Sequence, residues 1–305
     1  MSINSTNTDK AAMRELLKGS LVALVTPFKN NEIDEPAIRR LVDWHVEQGT
    51  HGIVVVGTTG ESPTLSLEEH CQVVDIVIQQ AADRLPVVAG AGSNNPIDAI
   101  MLSNHAAEAG AIATLHVAGY YNRPCQEGLF QHFKAINDNC DLPIIVYNIP
   151  GRAIVDIQPE TLARIAELDN VVGVKDATGD LSRPWLERQL IKGDFAFLSG
   201  DDCTTVAYNV SGGTGLISVS ANVAPKLYSQ VQELTMSGRF VEAQALQDRL
   251  IHLHTLMFRE TSPAGIKYAV SLLGLCEAEC RLPVIELTQQ TKDDIKAAMQ
   301  ALELI

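Results

Sequence analysis

The sequence lacks the motifs that mark several enzyme and binding classes. No GxGxxG follows the first predicted strand, which removes the main support for a dinucleotide-binding fold. The 8 histidines include no HExxH, and the 6 cysteines form no CxxC pair. His252 and His254 are two positions apart, which on a helix points them away from each other. We therefore expect neither a metal site nor a cofactor.

Long apolar runs and an excess of positive charge are also missing. No apolar run reaches the length of about 18 residues that a membrane-spanning helix needs. Lys and Arg number 23 against 37 Asp and Glu, a net charge of −14, which argues against nucleic acid or an anionic membrane surface as a partner. An anionic small molecule remains compatible with this charge, because a few cations can dominate inside a pocket.

The N-terminal segment has no apolar core and no small-residue cleavage site, so we do not expect it to be a signal peptide. Scattered cysteines in a chain of 305 residues without a secretion signal indicate reduced thiols and a cytoplasmic location. Residues 1–18 are expected to form a flexible tail with a short helix from Asp9 to Leu17.

From Ser20 onward, apolar strand-like runs alternate with amphipathic helical stretches, the pattern of βα units and a parallel sheet. Eight strands without a long insertion favour a closed (β/α)8 TIM barrel over an open doubly wound sheet. After about Ala224, apolar positions recur at helical spacing only. We expect a catalytic barrel over residues 19–224 and a C-terminal helical domain over 225–305. The strands are predicted at 21–27, 52–57, 86–90, 111–117, 142–148, 171–175, 195–200 and 215–220.

Lys175 ends an apolar strand in the segment VVGVKDATG, residues 171–179. An amine attacks a carbonyl only when it is neutral, and a solvated lysine, with a pKa of about 10.4, is protonated at neutral pH. Removal from water favours the neutral form, which is how lysines become Schiff-base nucleophiles. The alternative is a structural ion pair with Asp176 or Glu61.

Polar and glycine-rich segments follow the predicted strand ends, whereas the loops at the other ends resemble plain solvated turns. In a barrel all strand carboxyl ends open on one face, so these segments are expected to surround one cavity. The four segments are GTTGES (57–62), YNIPGR (147–152), KDATG (175–179) and SGDD (199–202).

Taken singly, these residues also have structural interpretations. Thr58 and Thr59 can satisfy backbone groups of a turn, Tyr147 can be a packed ring, and Arg152 can be a surface residue. Together with Lys175 they supply an amine, hydroxyls that relay protons, and a guanidinium for a carboxylate. These are the parts of a carbon–carbon lyase or synthase that works through an iminium ion.

Five segments, in order and spacing, resemble the dihydrodipicolinate synthase family from about Gly19 to the C-terminus: GTTGES, YYNRPCQEG (120–128), YNIPGR, GVKDATG and LSGDD. The resemblance implies a (β/α)8 barrel with a C-terminal helical domain, assembled as a homotetramer of two tight dimers. It also implies that the chain condenses pyruvate with L-aspartate 4-semialdehyde in lysine and diaminopimelate biosynthesis.

The resemblance also implies roles for individual residues. Lys175 is similar to the lysine that forms the Schiff base with pyruvate, and Tyr147 to the tyrosine that donates and accepts protons. Thr58 and Tyr121 resemble its relay partners, Tyr121 reaching the site of the neighbouring subunit. The implied substrate-binding positions are Thr59 and the backbone of Ile217 for pyruvate, and Arg152 for the carboxylate of the semialdehyde. Gly200 is also an implied substrate-binding position.

Two departures from the family pattern are visible. Ala118-Gly119 stands where the family commonly has Thr-Pro, before the paired tyrosines. Leu67 occupies a position that is histidine in lysine-sensitive bacterial forms, so we expect weak or absent inhibition by lysine. The remaining positions of that regulatory site fit or nearly fit the family: Ser62, His70, Asn94, Asp98 and Tyr120.

Two other functions are compatible with parts of the pattern. A related aldolase or dehydratase of the N-acetylneuraminate lyase type would share Lys175 and Tyr147, but those lyases usually lack an arginine at the position of Arg152. A catalytically dead barrel that only binds a keto acid is the other alternative. Every nucleophile and relay position is filled, which argues against it.

Overall fold

The computed structural model describes residues 9–117 and 119–305. Eight parallel strands close into a barrel, in which the first strand pairs with both the eighth and the second. The predicted (β/α)8 barrel is therefore confirmed. The strands are β1 Gly19–Ala23, β2 Gly52–Val55, β3 Val87–Gly90, β4 Ala113–Val117, β5 Ile144–Asn148, β6 Val171–Asp176, β7 Ala196–Ser199 and β8 Gly215–Ser218.

The first strand lies earlier than the prediction of 21–27. It ends at Ala23 because the backbone N–H of Val25 leaves the ladder and donates to Asn222 Oδ1 over 3.1 Å. A short antiparallel pair that the pattern did not predict follows, Phe28–Lys29 with Glu32–Ile33. It is too short to show an alternation of apolar and polar residues.

Helices fill the connections, and their starts follow local capping chemistry. Ser66 forms a capping box with Glu69, and the Asp34 carboxylate accepts the backbone N–H of Ala37. The helices of the barrel region are α1 Lys10–Leu16, α2 Glu35–Glu47, α3 Leu67–Ala81, α4 Pro96–Ala109, α5 Gln126–Asn137, α6 Pro150–Ala153, α7 Pro159–Ala166, α8 Arg183–Leu190 and α9 Thr205–Val210.

The short N-terminal helix α1 packs on the barrel. Met13 and Leu17 are buried in the same apolar cluster as the strand residues Leu21 and Ile217, and Lys10 donates to the carbonyls of 166 and 168. The predicted helix from Asp9 is confirmed, with Asp9 as its cap. Residues 1–8 of the predicted tail lie outside the described residues.

Four helices follow the barrel, in the region after Ala224 where the apolar spacing predicted helices only. Their buried side chains, such as Val231, Leu253 and Ile266, share one apolar cluster with helices α2 and α3. No helix in the described part of the chain is long and apolar enough to cross a membrane. The four are α10 Pro225–Met236, α11 Phe240–Met257, α12 Ala264–Leu272 and α13 Gln289–Ala301.

Candidate active site

Lys175 and Tyr147 stand side by side at the carboxyl ends of β6 and β5. Their Cα atoms are register partners, so both side chains project into the barrel. Lys175 is only 6% exposed, and its Nζ lies 4.1 Å from the centre of the Tyr147 ring. Within residues 9–117 and 119–305 no carboxylate forms an ion pair with Lys175, and Glu61 pairs with Lys267 over 2.7 Å instead. The ion-pair interpretation of Lys175 is therefore wrong.

Gly200, directly after β7, packs against the stem of Lys175. A Cβ on Gly200 would lie 3.1 Å from Lys175 Cε, 3.0 Å from the carbonyl oxygen of Asp176 and 2.9 Å from Ala177 Cβ. These approaches are too close for a methyl group, since two of the three atoms cannot move away without shifting the strand end. The glycine therefore leaves room for the lysine.

A polar network lies behind the end of β5, on the outside of the barrel. Asn148 donates to Asp156 over 2.8 Å, and Arg183 donates to both oxygens of Asp156 over 3.1 and 3.0 Å and to Glu187 over 3.1 Å. Asp176 is the register partner of Asn148, and burial raises its pKa. Burial, partly offset by Arg183, raises the pKa of Glu187 to about 8.

Sequence reasoning missed this network. Its only local signal is that Asn148 and Asp176 each follow the inward-facing residue of their strand, Tyr147 and Lys175. Strand alternation then turns them toward the helices rather than the barrel interior.

The other predicted catalytic and substrate residues also lie at the carboxyl face. Thr58 and Thr59 follow β2, Thr59 being buried, and Arg152 lies exposed on the short helix after β5. Ile217 is buried in β8. A cavity of about 350 Å³ opens between Thr58 and Arg152 and is bounded by Val117 at the end of β4. The structure therefore brings the Thr58 hydroxyl and the Arg152 guanidinium to one opening. Four other predicted residues are not part of its lining: Thr59, Tyr147, Lys175 and Ile217.

The predicted regulatory residues border the same cavity. Ser62, His70, Asp98 and Tyr120 line it, as does Leu67. Burial lowers the pKa of His70, and its Nε2 lies 2.8 Å from the carbonyl oxygen of residue 90, so we assign a neutral ring that donates there. The remaining residue, Asn94, is not part of the lining and donates to the Tyr120 carbonyl over 3.3 Å.

Tyr121 does not join the site of its own chain. The residue is 91% exposed, and its φ of 65° is in the left-handed region that a tyrosine rarely adopts. Of the unusual pair before the tyrosines, Ala118 lies outside the described residues, and Gly119 has a φ of 73°.

One group of side chains has the composition of a metal site. Donor atoms of Asp201, Cys203 and His254 lie within 4.8 Å of one another. Hydrogen bonds already use the Asp201 oxygens, which accept from the backbone N–H of Cys203 and from Thr204 Oγ1 over 2.9 and 3.1 Å. Burial and the neighbouring carboxylates raise the pKa of the Cys203 thiol to about 11. The hydrogen bonds account for the position of the Asp201 carboxylate.

Comparisons with known proteins agree with the geometry. A model described as the dihydrodipicolinate synthetase family matches residues 16–302. The 4-hydroxy-tetrahydrodipicolinate synthase of Parvibaculum lavamentivorans is 53% identical over 290 residues, which are 95% of this chain and 100% of the relative.

Two solved structures are also similar. One is a chloride-inhibited dihydrodipicolinate synthase from Acinetobacter baumannii complexed with pyruvate, with 43% identity, a TM-score of 0.92, and coverage of 95% of this chain and 100% of that one. The other, described as a monomeric dihydrodipicolinate synthase variant, has 38% identity, a TM-score of 0.93, and coverage of 95% and 98%.

Proposed function

Because the chain belongs to the dihydrodipicolinate synthetase family, we propose that it condenses pyruvate with L-aspartate 4-semialdehyde to give 4-hydroxy-tetrahydrodipicolinate, in lysine and diaminopimelate biosynthesis. The observation that carries this proposal is the geometry of Lys175. Its amine is buried, forms no ion pair with a carboxylate in the described chain, and lies 4.1 Å from the Tyr147 ring centre. That is the environment a Schiff-base nucleophile needs.

The residues supply each step of the reaction. Lys175 attacks the pyruvate carbonyl, and loss of water gives an iminium ion whose positive charge acidifies the adjacent methyl group. The resulting enamine attacks the aldehyde carbon and forms the new carbon–carbon bond. Tyr147, relayed through Thr58, gives and takes the protons, so that charge does not accumulate. The amine of the second substrate then displaces Lys175 and closes the ring.

Substrate recognition is assigned to the rim of the barrel. Thr59, Gly200 and the backbone of Ile217 hold pyruvate, while Arg152 binds the carboxylate of the semialdehyde. A guanidinium pairs with a carboxylate through two parallel hydrogen bonds. Arg152 lines the same cavity as Thr58. An arginine at this position favours the semialdehyde over the longer substrate of an N-acetylneuraminate lyase, since those lyases usually lack it.

We also propose a cytoplasmic homotetramer built from two tight dimers. Tyr121 is free to enter the site of a neighbouring subunit, because it is almost fully exposed in its own chain. Exposed apolar side chains on α4 and α8 support two separate contact surfaces. They are Ile97 and Met101 on the former, and Trp185, Leu186 and Leu190 on the latter.

Turnover with two acceptors tests the proposal. Purified enzyme with pyruvate should consume L-aspartate 4-semialdehyde and should not use N-acetylmannosamine. Rapid use of N-acetylmannosamine would favour the lyase-type alternative. Pyruvate binding without turnover of either acceptor would favour a binding protein.

A further inference from the structure

The loop that carries Thr58 and Thr59 is fixed at Glu61. The backbone N–H of Glu61 donates to the Thr58 carbonyl over 3.1 Å, and Thr64 donates to the Glu61 carbonyl through its N–H and its hydroxyl, both over 3.0 Å. Glu61 has φ 56° and ψ 34°, a left-handed conformation that costs energy for a residue with a Cβ. Such a conformation persists only where the surroundings hold it.

The C-terminal domain supplies the contacts that hold it. Lys267, on α12, donates from Nζ to Glu61 Oε1 over 2.7 Å, and the backbone N–H of Arg281 donates to Oε2 over 2.9 Å. The Glu61 side chain is 2% exposed and that of Lys267 is 0% exposed. Both carboxylate oxygens of a barrel loop are therefore bound by groups more than 200 residues away in sequence.

The side chain of Arg281 secures the far end of the same loop. It donates to both oxygens of Glu69 over 2.6 Å and to the carbonyl of Thr64 over 2.9 Å. The Phe28 ring packs beneath, 4.1 Å from Lys267 Nζ and 4.4 Å from Arg281 Cζ. Loop and domain are thus joined at several points around one aromatic ring.

Stability alone does not explain a charged pair at this place. Burying two ions costs desolvation energy, and well-packed apolar residues in place of a buried ion pair often give equal or greater stability. A hydrogen-bonded ion pair also fixes the orientation of the carboxylate, because each of its oxygens must face its own donor. The orientation of Glu61 matters for the loop that carries Thr58 and Thr59. A displacement of about 1 Å in a group that orients a reaction can cost about a hundredfold in rate.

We propose that Glu61 and Lys267 are positioning residues, through which the C-terminal domain sets the place of the Thr58 and Thr59 hydroxyls in the active site. The inference rests on the proposed function, because those hydroxyls matter through the proton relay and pyruvate binding. It makes the C-terminal domain part of the catalytic apparatus rather than only a source of stability.

The test compares Lys267→Met with a control of similar stability loss, Met299→Ala, whose side chain is buried in α13. Both are assayed as full-length protein at a temperature where circular dichroism shows each folded. We expect Lys267→Met to lower kcat and the rate of borohydride-trapped pyruvate adduct at least about tenfold. Met299→Ala should keep both rates within about threefold, because it leaves the loop contacts intact.

Equal loss of rate in the two variants at matched melting temperature would overturn the inference, since the pair would then be only structural. Where Lys267→Met does not fold, Glu61→Gln gives the same test, and unchanged rates in it would also overturn the inference. Absence of turnover in the wild type counts against the proposed function instead. The trapping rates with pyruvate alone then still decide the role of the pair.

Discussion

We propose that Arg152 decides which acceptor the enzyme takes. It lies exposed at the edge of the cavity, where a carboxylate of the second substrate would arrive. We expect Arg152→Ala to lower kcat/KM for the semialdehyde by about tenfold to a hundredfold, since a charge-assisted hydrogen bond contributes about 1.5–3 kcal/mol.

Trapping of pyruvate on the enzyme should be unchanged in Arg152→Ala, because Arg152 acts on the second substrate. The matched control is Arg164→Ala, an arginine of α7 that pairs with Glu127 away from the cavity. Equal loss of kcat/KM in both variants would contradict the assignment of Arg152.

We propose that Leu67 determines the response to lysine. It borders the cavity shared by Ser62, His70, Asp98 and Tyr120, and it offers no hydrogen bond to an amino-acid ligand. We expect weak or absent inhibition of the wild type by lysine in a steady-state assay, and stronger inhibition of Leu67→His.

Leu16→His, at an exposed leucine of α1, serves as the control and should be inhibited by lysine no more than the wild type. Half-maximal inhibition of the wild type at low lysine concentration would refute the assignment of Leu67.

Among the single residues, the positions of Lys175 and Tyr147 at strand ends were predictable from the sequence, since apolar runs and family motifs both mark them. It did not decide whether Lys175 forms an ion pair, because that depends on where Glu61 points. Glu61 turns to Lys267, a contact across 206 positions that no local pattern predicts.

Between elements, the network of Asp156, Arg183 and Glu187 joins Asn148 of β5 to α8. It makes the free energy of unfolding depend on pH. Burial raises the pKa of Glu187 to about 8, whereas a glutamate in an unfolded chain titrates near about 4.3. Between these values the folded state keeps a proton that the unfolded state has lost, so the free energy of unfolding falls as pH rises.

Glu187→Gln should remove most of this slope between pH 5 and pH 8, measured by chemical denaturation at several pH values. Asp176 contributes a slope of the same sign, because burial raises its pKa as well, so a smaller slope should remain. The control, Glu242→Gln at an exposed glutamate, should show the same slope as the wild type. An unchanged slope in Glu187→Gln would refute the assignment of the pH dependence to Glu187.

The elements themselves were largely predictable, because their signals are local. The capping box at Ser66 and the cap at Asp34 mark helix starts that the structure has. The end of β1 was not predictable, since it depends on Asn222 taking the Val25 N–H. The pattern of β5 and β6 likewise did not reveal the network behind them, whose partners come from other parts of the chain.

For the whole molecule, the proposal that Tyr121 acts in a neighbouring subunit predicts complementation between two inactive variants. Lys175→Ala lacks the nucleophile, and Tyr121→Phe lacks the relay hydroxyl. In a mixed dimer, the intact lysine of one subunit meets the intact tyrosine of the other. Co-expression should recover about a quarter of wild-type activity, if subunits pair at random and each mixed dimer has one working site.

Each variant expressed alone is the control and should show little activity. Mixed dimers that form, as shown by differential tags, but recover no activity would place Tyr121 in its own chain's site and contradict the proposal.

The barrel and the C-terminal helices could be predicted because apolar periodicity extends over the whole chain. The alternation of strands and helices also predicted that GTTGES and KDATG would share one face. It could not show that Lys267 and Arg281, in the C-terminal helical part, bind the GTTGES loop. That contact depends on tertiary packing alone.

The most direct test of the central claim is mass spectrometry after reductive trapping with pyruvate and borohydride. We predict one reduced pyruvate adduct per chain, confined to the peptide that contains Lys175 and absent from Lys175→Arg. No adduct, or an adduct on another lysine such as Lys267, would contradict the account.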